Sequence, residues 1–249
     1  MKPYNEQQTK KEQVEAMFDN IAPNYDRLNH ILSFQIDRIW RSRVVRIVRR
    51  LKPRRVLDVA TGTGDLAILL ARKIEGSKIV GVDLSEEMLN VARRKVESAE
   101  LNDRISLEKG DAEGLTTIAT ESVDVATVAF GVRNFEDLEG GLREMHRAIR
   151  RGGKIVVLEF STPRNRLVRW VYAQYSHHLL PAIGGLISKD KQAYIYLPES
   201  VDEFPSPERF SEILESVGFS DVKRRSQSFG IAHIYEATKY PLQRLIYRL

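Results

Sequence analysis

The 249-residue chain contains no cysteine. Disulfide frameworks, thiolate zinc sites and cysteine nucleophiles are therefore excluded, and the composition fits a reducing compartment. The chain also begins without an apolar leader, and Glu6, Glu12 and Glu15 argue against a mitochondrial transit peptide. We therefore expect a cytoplasmic protein.

Long hydrophobic runs are missing as well. The stretch Trp170–Ser188 has no charged residue, but its histidines, proline and glycines make it too polar and too broken to span a membrane. Its adjacent His177 and His178 have no third candidate ligand in the sequence pattern. We therefore predict no metal site.

Acidic residues are absent from the segment Arg38–Arg55, which contains nine basic residues. Residues 1–55 as a whole carry 13 basic and 6 acidic residues, whereas the rest of the chain is close to neutral. Such a block indicates either an anionic partner or the solvated face of an amphipathic helix. The second interpretation is supported by an apolar stripe at helical spacing, and the two are compatible. The stripe consists of Val44, Val45, Ile47, Val48 and Leu51.

The middle of the chain alternates short β-branched runs with amphipathic stretches. Such alternation predicts an α/β fold, in which helices cover both faces of a mostly parallel sheet. The predicted strands are Arg55–Val59, Lys78–Asp83, Ile105–Lys109, Val123–Ala129 and Lys154–Phe160. The predicted helices are Asp65–Ile74, Ser85–Ala99 and Asp137–Ile149, the last ended by Gly152 and Gly153.

Two regions flank this alternating unit. Residues 1–54 are predicted to form a helical cap on a domain that covers residues 55–249. Within that domain, residues 161–205 have no regular pattern and are predicted to be an irregular insert. Ser206 is a good N-cap for a further helix, and the runs Val222–Gln227 and Ile231–Lys239 predict a closing hairpin.

A glycine-containing turn follows the first predicted strand. Gly62 and Gly64 allow a ligand to approach the backbone closely, and Asp83 ends the next strand, where a carboxylate grips ribose hydroxyls. Asp65 stands where it would repel the pyrophosphate of a dinucleotide. An acid there favours a cationic or zwitterionic ligand such as S-adenosylmethionine.

A short acidic turn follows the third strand. Asp111 can accept a hydrogen bond from an adenine amine, and Ala112 offers a backbone N–H. At this point the sequence resembles a class I methyltransferase with a Rossmann-like fold. The predicted S-adenosylmethionine-binding residues are Thr61, Gly62, Gly64, Asp83, Asp111 and Ala112.

Further segments narrow the resemblance to the ubiquinone/menaquinone biosynthesis C-methyltransferase family. They are Phe18–Ala22, Tyr25–Trp40, Phe130–Asn134, Leu158–Ser161, Tyr194–Leu197, Ser200 and Phe204–Pro205. The resemblance implies a seven-stranded sheet and S-adenosylmethionine-dependent methylation of a polyprenyl quinol ring carbon. Leu28, Asp37 and Arg151 depart from the family's usual Met, His and Pro, and Asp37 puts the polar groups near the substrate entrance in doubt.

Methylating an aromatic carbon requires an electron-rich ring, and deprotonating a quinol hydroxyl provides one. Because an unperturbed phenol has a pKa of about 10, a cation is needed beside the oxygen. We predict that Arg133 stabilises the phenolate, that Asn134 holds the second oxygen and that Tyr25 closes over the site. The alternatives are a surface salt bridge from Arg133 to Glu136 or Asp137, and simple cap packing for Tyr25.

The sequence does not decide between several possible substrates. We favour 2-demethylmenaquinol, with a 2-polyprenyl-6-methoxy-1,4-benzoquinol as the alternative. A nucleic-acid methyltransferase or a non-catalytic cofactor-binding module fits less well, because no proline-rich run follows the fourth strand and a substrate-side constellation is present. We therefore predict no nucleic-acid partner.

The substrate's lipid solubility predicts contact with an anionic membrane at the inner face of the cytoplasmic membrane. Residues 164–188 and the N-terminal helices are predicted to form a membrane-facing lid, unless they only cover the sheet or form a homodimer contact. Arg164, Arg166 and Arg169 would contact the anionic headgroups. The aromatic side chains of Trp170, Tyr172 and Tyr175 would lie at the membrane interface. The aliphatic side chains of Leu179, Leu180 and Ile183 would contact the prenyl units.

Overall fold

A seven-stranded sheet organises the chain in a computed structural model that describes residues 1–5, 7–176 and 190–240, with Lys191 described by its backbone alone. The strand order is β3-β2-β1-β4-β5-β7-β6. β1 to β5 run parallel, and β7 is antiparallel to both β5 and β6. The strands are β1 Arg55–Val59, β2 Lys78–Asp83, β3 Ile105–Lys109, β4 Val123–Ala129, β5 Ile149–Phe160, β6 Ser220–Gln227 and β7 Ala232–Thr238.

Six of the described helices begin at a residue that caps them through its side chain. Thr9 forms a capping box with Glu12, and Ser85, Asp137 and Ser206 each accept a hydrogen bond from a backbone N–H in the first helical turn. The helices are α1 Lys10–Ile21, α2 Tyr25–Leu32, α3 Ile36–Arg50, α4 Asp65–Lys73, α5 Glu86–Ser98, α6 Leu138–Ala148, α7 Arg166–Gln174, α8 Lys191–Glu203 and α9 Pro207–Ser216.

Helices cover both faces of the sheet, as predicted. Alternate strand residues such as Leu57 and Val56 point to opposite faces. One face packs against apolar residues of α6 and α9, and the other packs against those of α3, α4 and α5. The apolar stripe on α3 is buried there, so most of the basic block from Arg38 to Arg55 is indeed an exposed helix face. Arg41 is the exception, since it is buried.

Two sequence predictions about the elements are wrong. β5 begins at Ile149 rather than Lys154, because the strand continues across an irregularity at the glycine pair. Gly152 has a φ of 80° there, and the register shifts opposite Val123 and Val125. The insert is not irregular throughout, since it contains α7 and α8. Asn165 and Asp190 cap these helices through their side chains, whereas Pro198 inside α8 hides the helical pattern.

The cap and the insert pack on each other. Val14, Met17 and Leu28 of the cap form a third core with Met88 of α5 and Tyr196 of α8. The cap therefore lies beside the carboxyl ends of the central strands, where open α/β sheets bind ligands. Among the described residues, no helix has the length and apolar character needed to cross a membrane.

Candidate active site

The turn after β1 is held by a buried carboxylate. Asp58 accepts hydrogen bonds from the hydroxyls of Thr61, at 2.7 Å, and Thr127, at 2.6 Å. Burial raises the pKa of Asp58 to about 6. Thr61, predicted to contact the cofactor, therefore uses its hydroxyl to fix the turn. Gly64 has a φ of 79°, as the N-cap of α4; neither residue lines the cavity beside this turn.

A cavity lies where β1, β2, β3 and β4 end, and we call it the polar cavity. Asp83 at the end of β2 accepts hydrogen bonds from the backbone N–H of Gly62, at 2.7 Å, and of Ser85, at 2.9 Å. Burial raises the pKa of Asp83 to about 6. Asp111 and Ala112 line the same cavity. Four of the six predicted cofactor residues are thus brought together.

The polar cavity fits S-adenosylmethionine chemically. A Cβ added at Gly62 would meet no atom within 4 Å, so the backbone there is open to a ligand. The lining supplies carboxylate acceptors beside the apolar side chains Val82, Leu84 and Met88, which suit a ribose and an adenine ring.

Helix α1 covers this cavity. The Lys11 ammonium contacts the carboxylates of Asp111, at 2.5 Å, and Glu113, at 3.2 Å. Phe18 of the same helix lines the cavity, and Asp19 accepts a hydrogen bond from the Ser85 hydroxyl at 2.5 Å. Cap residues therefore complete a site that begins on the sheet.

Asp65 does not face the polar cavity, and the argument that its charge selects a cationic ligand is wrong. Its carboxylate accepts a 2.6 Å hydrogen bond from Lys95, which also contacts Asp26 at 2.6 Å. His30 Nε2 lies 3.4 Å from the other oxygen of Asp65. Asp65 therefore belongs to an ion-pair network that links α2 to α4 and α5.

Asp37, the departure from the family pattern, lies in the same network. It is buried, accepts a 2.5 Å hydrogen bond from Ser33 and pairs with Arg41. It does not line the polar cavity or the apolar cavity described below. In the described part of the chain, His30, Asp37 and Asp65 have spacing that could hold a metal ion, but Arg41 and Lys95 already neutralise the two carboxylates. His177 and His178 lie outside the described residues.

A second cavity of about 530 Å³ lies between the cap, the ends of β4 and β5, and helices α7 and α8; we call it the apolar cavity. The Phe130 and Phe160 rings stack there with centroids 4.5 Å apart. Tyr172 and Tyr175, predicted at the membrane interface, line this cavity instead. The two cavities share four lining residues, so they adjoin. The shared residues are Phe18, Tyr25, Phe130 and Asn134.

Arg133 is buried in the turn after β4 and lines the apolar cavity. Its Nη1 donates to Glu159 Oε1 at 2.8 Å and to the Phe130 carbonyl at 2.5 Å, and its Nε donates to Ser200 Oγ at 3.3 Å. Burial acts to lower the pKa of Arg133, but the Glu159 carboxylate, together with Tyr25 and Tyr196, outweighs it, so the pKa is raised. The alternative of a surface salt bridge to Glu136 or Asp137 is wrong.

Asn134 and Tyr25 lie where the cavities meet. Asn134 Oδ1 accepts a 3.3 Å hydrogen bond from the buried Tyr196 hydroxyl. Burial raises the pKa of Tyr25, and its ring packs edge-on against Phe18, with centroids 6.1 Å apart. Within the described ranges the Tyr25 hydroxyl makes no hydrogen bond to protein. The Tyr25 hydroxyl could therefore form a hydrogen bond with a bound ligand.

The family model described as the ubiE/COQ5 methyltransferase family matches residues 6–239 of the chain. The chain belongs to this family. Membership confirms the predicted methyltransferase class and S-adenosylmethionine as its methyl donor.

Curated members of the family align along nearly their whole length. The chain is 45% identical over 239 residues to the demethylmenaquinone methyltransferase of Bacteroides fragilis, covering 96% of this chain and 97% of that one. It is 48% identical to the ubiquinone/menaquinone biosynthesis C-methyltransferase UbiE of Geobacter sulfurreducens, covering 92% and 90%.

Solved structures share the fold at low identity. A S-adenosylmethionine-dependent methyltransferase of Thermotoga maritima, named a possible histamine N-methyltransferase, is 20% identical with a TM-score of 0.62, covering 90% of this chain and 99% of that one. The [4+2]-cyclase SpnF is 17% identical with a TM-score of 0.66, covering 92% and 96%. These similarities confirm the predicted class I methyltransferase fold.

Sequence reasoning missed several residues of this family member's site. Glu159 and Tyr196 lie in segments that carry the family resemblance, but the sequence pattern does not indicate a role for either residue, and Lys11 lies outside those segments. Glu159 could have been noticed as a carboxylate at the end of a strand that is otherwise apolar from Ile155 onward. The signal for Lys11 is only its place on a helix of the cap.

Proposed function

We propose that this family member transfers a methyl group from S-adenosylmethionine to a ring carbon of a polyprenyl quinol, with 2-demethylmenaquinol as its main substrate. The observation that carries the proposal is the junction of two cavities of opposite character. The polar cavity has carboxylate acceptors, and the apolar cavity contains a buried guanidinium. The junction at Tyr25 and Asn134 is where the two reactants would meet.

In the polar cavity, Asp83 would hold the ribose hydroxyls, Asp111 would accept from the adenine amine and the Ala112 backbone would donate to the ring. Gly62 would allow close approach of the backbone. S-adenosylmethionine supplies an electrophilic methyl group when bound. The protein contributes orientation, and fixing two reactants in line can contribute about 7–11 kcal/mol to lowering the barrier.

In the apolar cavity, Arg133 would lower the pKa of a quinol hydroxyl. Each pKa unit corresponds to about 1.4 kcal/mol of preference for the phenolate. Nη1 and Nε of Arg133 are used by protein acceptors, but its Nη2 makes no hydrogen bond to any residue that the structure describes. That nitrogen is therefore the donor available to the substrate oxygen. Asn134 and Tyr25 would bind the second oxygen and cover the ring.

The choice of a naphthoquinol is supported by relatives of 43–45% identity that carry the name demethylmenaquinone methyltransferase. Other relatives at 44–48% are named for both quinones, so the benzoquinol remains the second substrate to test. The test offers each reduced prenyl quinol with radiolabelled S-adenosylmethionine in a single-turnover assay. Label in the naphthoquinol product is expected; failure of both quinols to react would refute the proposal.

The substrate resides in lipid, so the protein must meet an anionic membrane at the inner face of the cytoplasmic membrane. Arg166, Arg169 and Trp170 are exposed on α7 as this role requires. Arg164 is less suitable, because it pairs with Glu208. Leu179, Leu180 and Ile183, like Pro181, Gly184 and Gly185, lie outside the described residues. A homodimer through α7 is the competing arrangement.

A further inference from the structure

Five large apolar side chains on three separate segments are exposed around one opening, and we call them the mouth patch. Singly scattered exposed apolar residues are ordinary, but a cluster this exposed marks an interaction surface. The exposed fractions are 72% for Phe34, 70% for Leu167, 62% for Trp170, 53% for Val171 and 84% for Phe229.

Contacts between the three segments bring them together. The Phe34 ring lies 6.0 Å from Tyr175, beyond the end of α7. Trp40 Nε1 donates a 3.1 Å hydrogen bond to Ser228 in the β6–β7 turn. Ser161, which precedes α7, donates to the Gly230 carbonyl of that turn at 2.7 Å.

The mouth patch surrounds the entrance of the apolar cavity. Phe34, Leu167 and Val171 are exposed and also line that cavity, so they form its rim. Trp170 is next to Val171 in sequence, and Phe229 is next to Ser228, which lines the cavity as well. A cavity of about 530 Å³ accommodates a molecule of drug size. The remainder of a long prenyl chain must therefore leave through this rim.

Two of the aromatic residues are held in a strained backbone conformation. Phe34 has a φ of 50° and Phe229 a φ of 60°, and each has a second non-glycine residue of positive φ beside it. Bulky residues adopt this region at a cost and cluster there at functional sites. The rings of Phe34 and Phe229 are therefore exposed to solvent at the cost of backbone strain.

Charge identifies the occupant of this surface. Helix α7 has no acidic residue, and Arg166 and Arg169 are exposed on it beside the mouth patch. Neither arginine has an ion-pair partner within the described ranges. Protruding apolar side chains flanked by exposed cations match a bilayer with anionic headgroups, in which rings enter the acyl region and guanidinium groups meet phosphates.

We propose that the mouth patch inserts into an anionic bilayer, so that a quinol ring enters the apolar cavity from the membrane while its prenyl tail stays in lipid. This inference rests on the proposed function for the identity of the quinol, but the membrane insertion can be tested separately.

The test uses vesicles of phosphatidylglycerol and phosphatidylcholine and the double variant Trp170→Gln/Phe229→Asn. Neither residue lines the polar or the apolar cavity, and asparagine tolerates the backbone conformation at position 229. Because each ring contributes substantially when fully buried, the double variant should bind anionic vesicles about 100-fold more weakly. In the wild type, brominated lipid should quench Trp170 fluorescence. Glu100→Asn, an exposed residue of similar φ, 55°, is the matched control and should bind as the wild type does.

Methylation measured in two formats separates this proposal from the proposed function. The double variant should methylate a short-chain quinol in solution at the wild-type rate, but should lose most of its rate with a long-chain quinol embedded in vesicles. Unchanged vesicle binding by the double variant would overturn the insertion. So would a wild-type dimer that becomes monomeric in the double variant, since a second copy would then cover the patch. Failure of the wild type with every quinol would instead refute the proposed function.

Discussion

The buried pair of Arg133 and Glu159 gives the sharpest prediction, tested by Glu159→Gln. The two side chains are joined at 2.8 Å and are almost completely buried. Glutamine has nearly the same shape and keeps one carbonyl oxygen, which can still accept from Arg133 and from the Phe160 backbone N–H. The substitution therefore removes the charge while leaving most of the geometry possible.

The loss in free energy of unfolding caused by Glu159→Gln follows from the buried charge of Arg133, which loses its ion-pair partner. Removing one partner of a buried ion pair leaves an uncompensated charge and typically costs about 3–5 kcal/mol. Because glutamine retains an acceptor, we expect about 3 kcal/mol. A shift of about 2–4 °C per kcal/mol at this chain length gives a fall in melting temperature of about 6–12 °C.

The same substitution should change the pH dependence of the reaction. In the proposed mechanism, Glu159 opposes the field of Arg133 at the quinol oxygen, so loss of the Glu159 charge should lower the pKa of a bound quinol hydroxyl. The rising limb of the pH–rate profile should therefore move to lower pH, while the maximal rate falls because Arg133 is held less firmly. A purely structural role for Glu159 would leave the position of that limb unchanged.

The control is an exposed ion pair of the same chemistry. Glu139 and Arg143 lie one helical turn apart on α6 with a 2.5 Å contact, and both are largely exposed. Glu139→Gln should change stability by less than about 0.5 kcal/mol and leave the pH profile unaltered. The reasoning is refuted if differential scanning calorimetry gives the two variants the same melting temperature and labelled-donor assays give them the same pH profile.

Three further predictions concern the cavities and the turn. Asp83→Asn should weaken S-adenosylmethionine binding more than about 100-fold by calorimetry, because two charge-assisted hydrogen bonds of about 1.5–3 kcal/mol each are lost. In the wild type, affinity should fall below pH 6, where Asp83 is protonated; a pH-independent affinity would contradict this. Asp58 has a pKa of about 6, raised by burial, so its contribution to stability is lost as pH rises from about 4 through 6. Asp58→Asn should therefore stabilise the protein at pH 7 by up to about 3 kcal/mol in denaturant unfolding, with little gain at pH 4. Tyr25→Phe should leave the melting temperature unchanged and lower kcat about tenfold or more, whereas an unchanged kcat would show that Tyr25 only packs the cap.

The strands and the positions of most site residues could be predicted because parallel strands carry their own signature. Buried on both faces, they appear as continuous β-branched runs, and their carboxyl ends meet at one edge. This rule alone brings Asp83 and Asp111 together with Arg133 and Asn134. It needs no knowledge of how the cap is placed.

Pairings across the fold could not be predicted in this way. Arg133 follows β4 and Glu159 lies near the end of the neighbouring β5, but whether their side chains meet depends on the turn at residues 132–134 and on α8. The prediction that the charge of Asp65 selects a cationic ligand is wrong for the same reason, because Lys95 and His30 contact Asp65 from α5 and α2. A sequence motif identifies a position on the sheet, whereas its charge partner is set by tertiary packing.

The contacts of the cap differ at the two cavities, and this difference suits two reactants of different solubility. Over the polar cavity, α1 is held by exposed or half-buried ion pairs such as Lys11 with Asp111 and Lys109 with Glu15. Such pairs contribute little net stability in water and exchange readily with it. Around the apolar cavity, the cap packs through buried side chains such as Met17, whose exposure to water is costly. Val14 and Met88 add a buried apolar contact at the polar cavity as well, so the ion pairs loosen only the exposed edge of α1 there. In the proposed arrangement, a water-soluble methyl donor would enter along that exposed edge, whereas the quinol would enter through the rim.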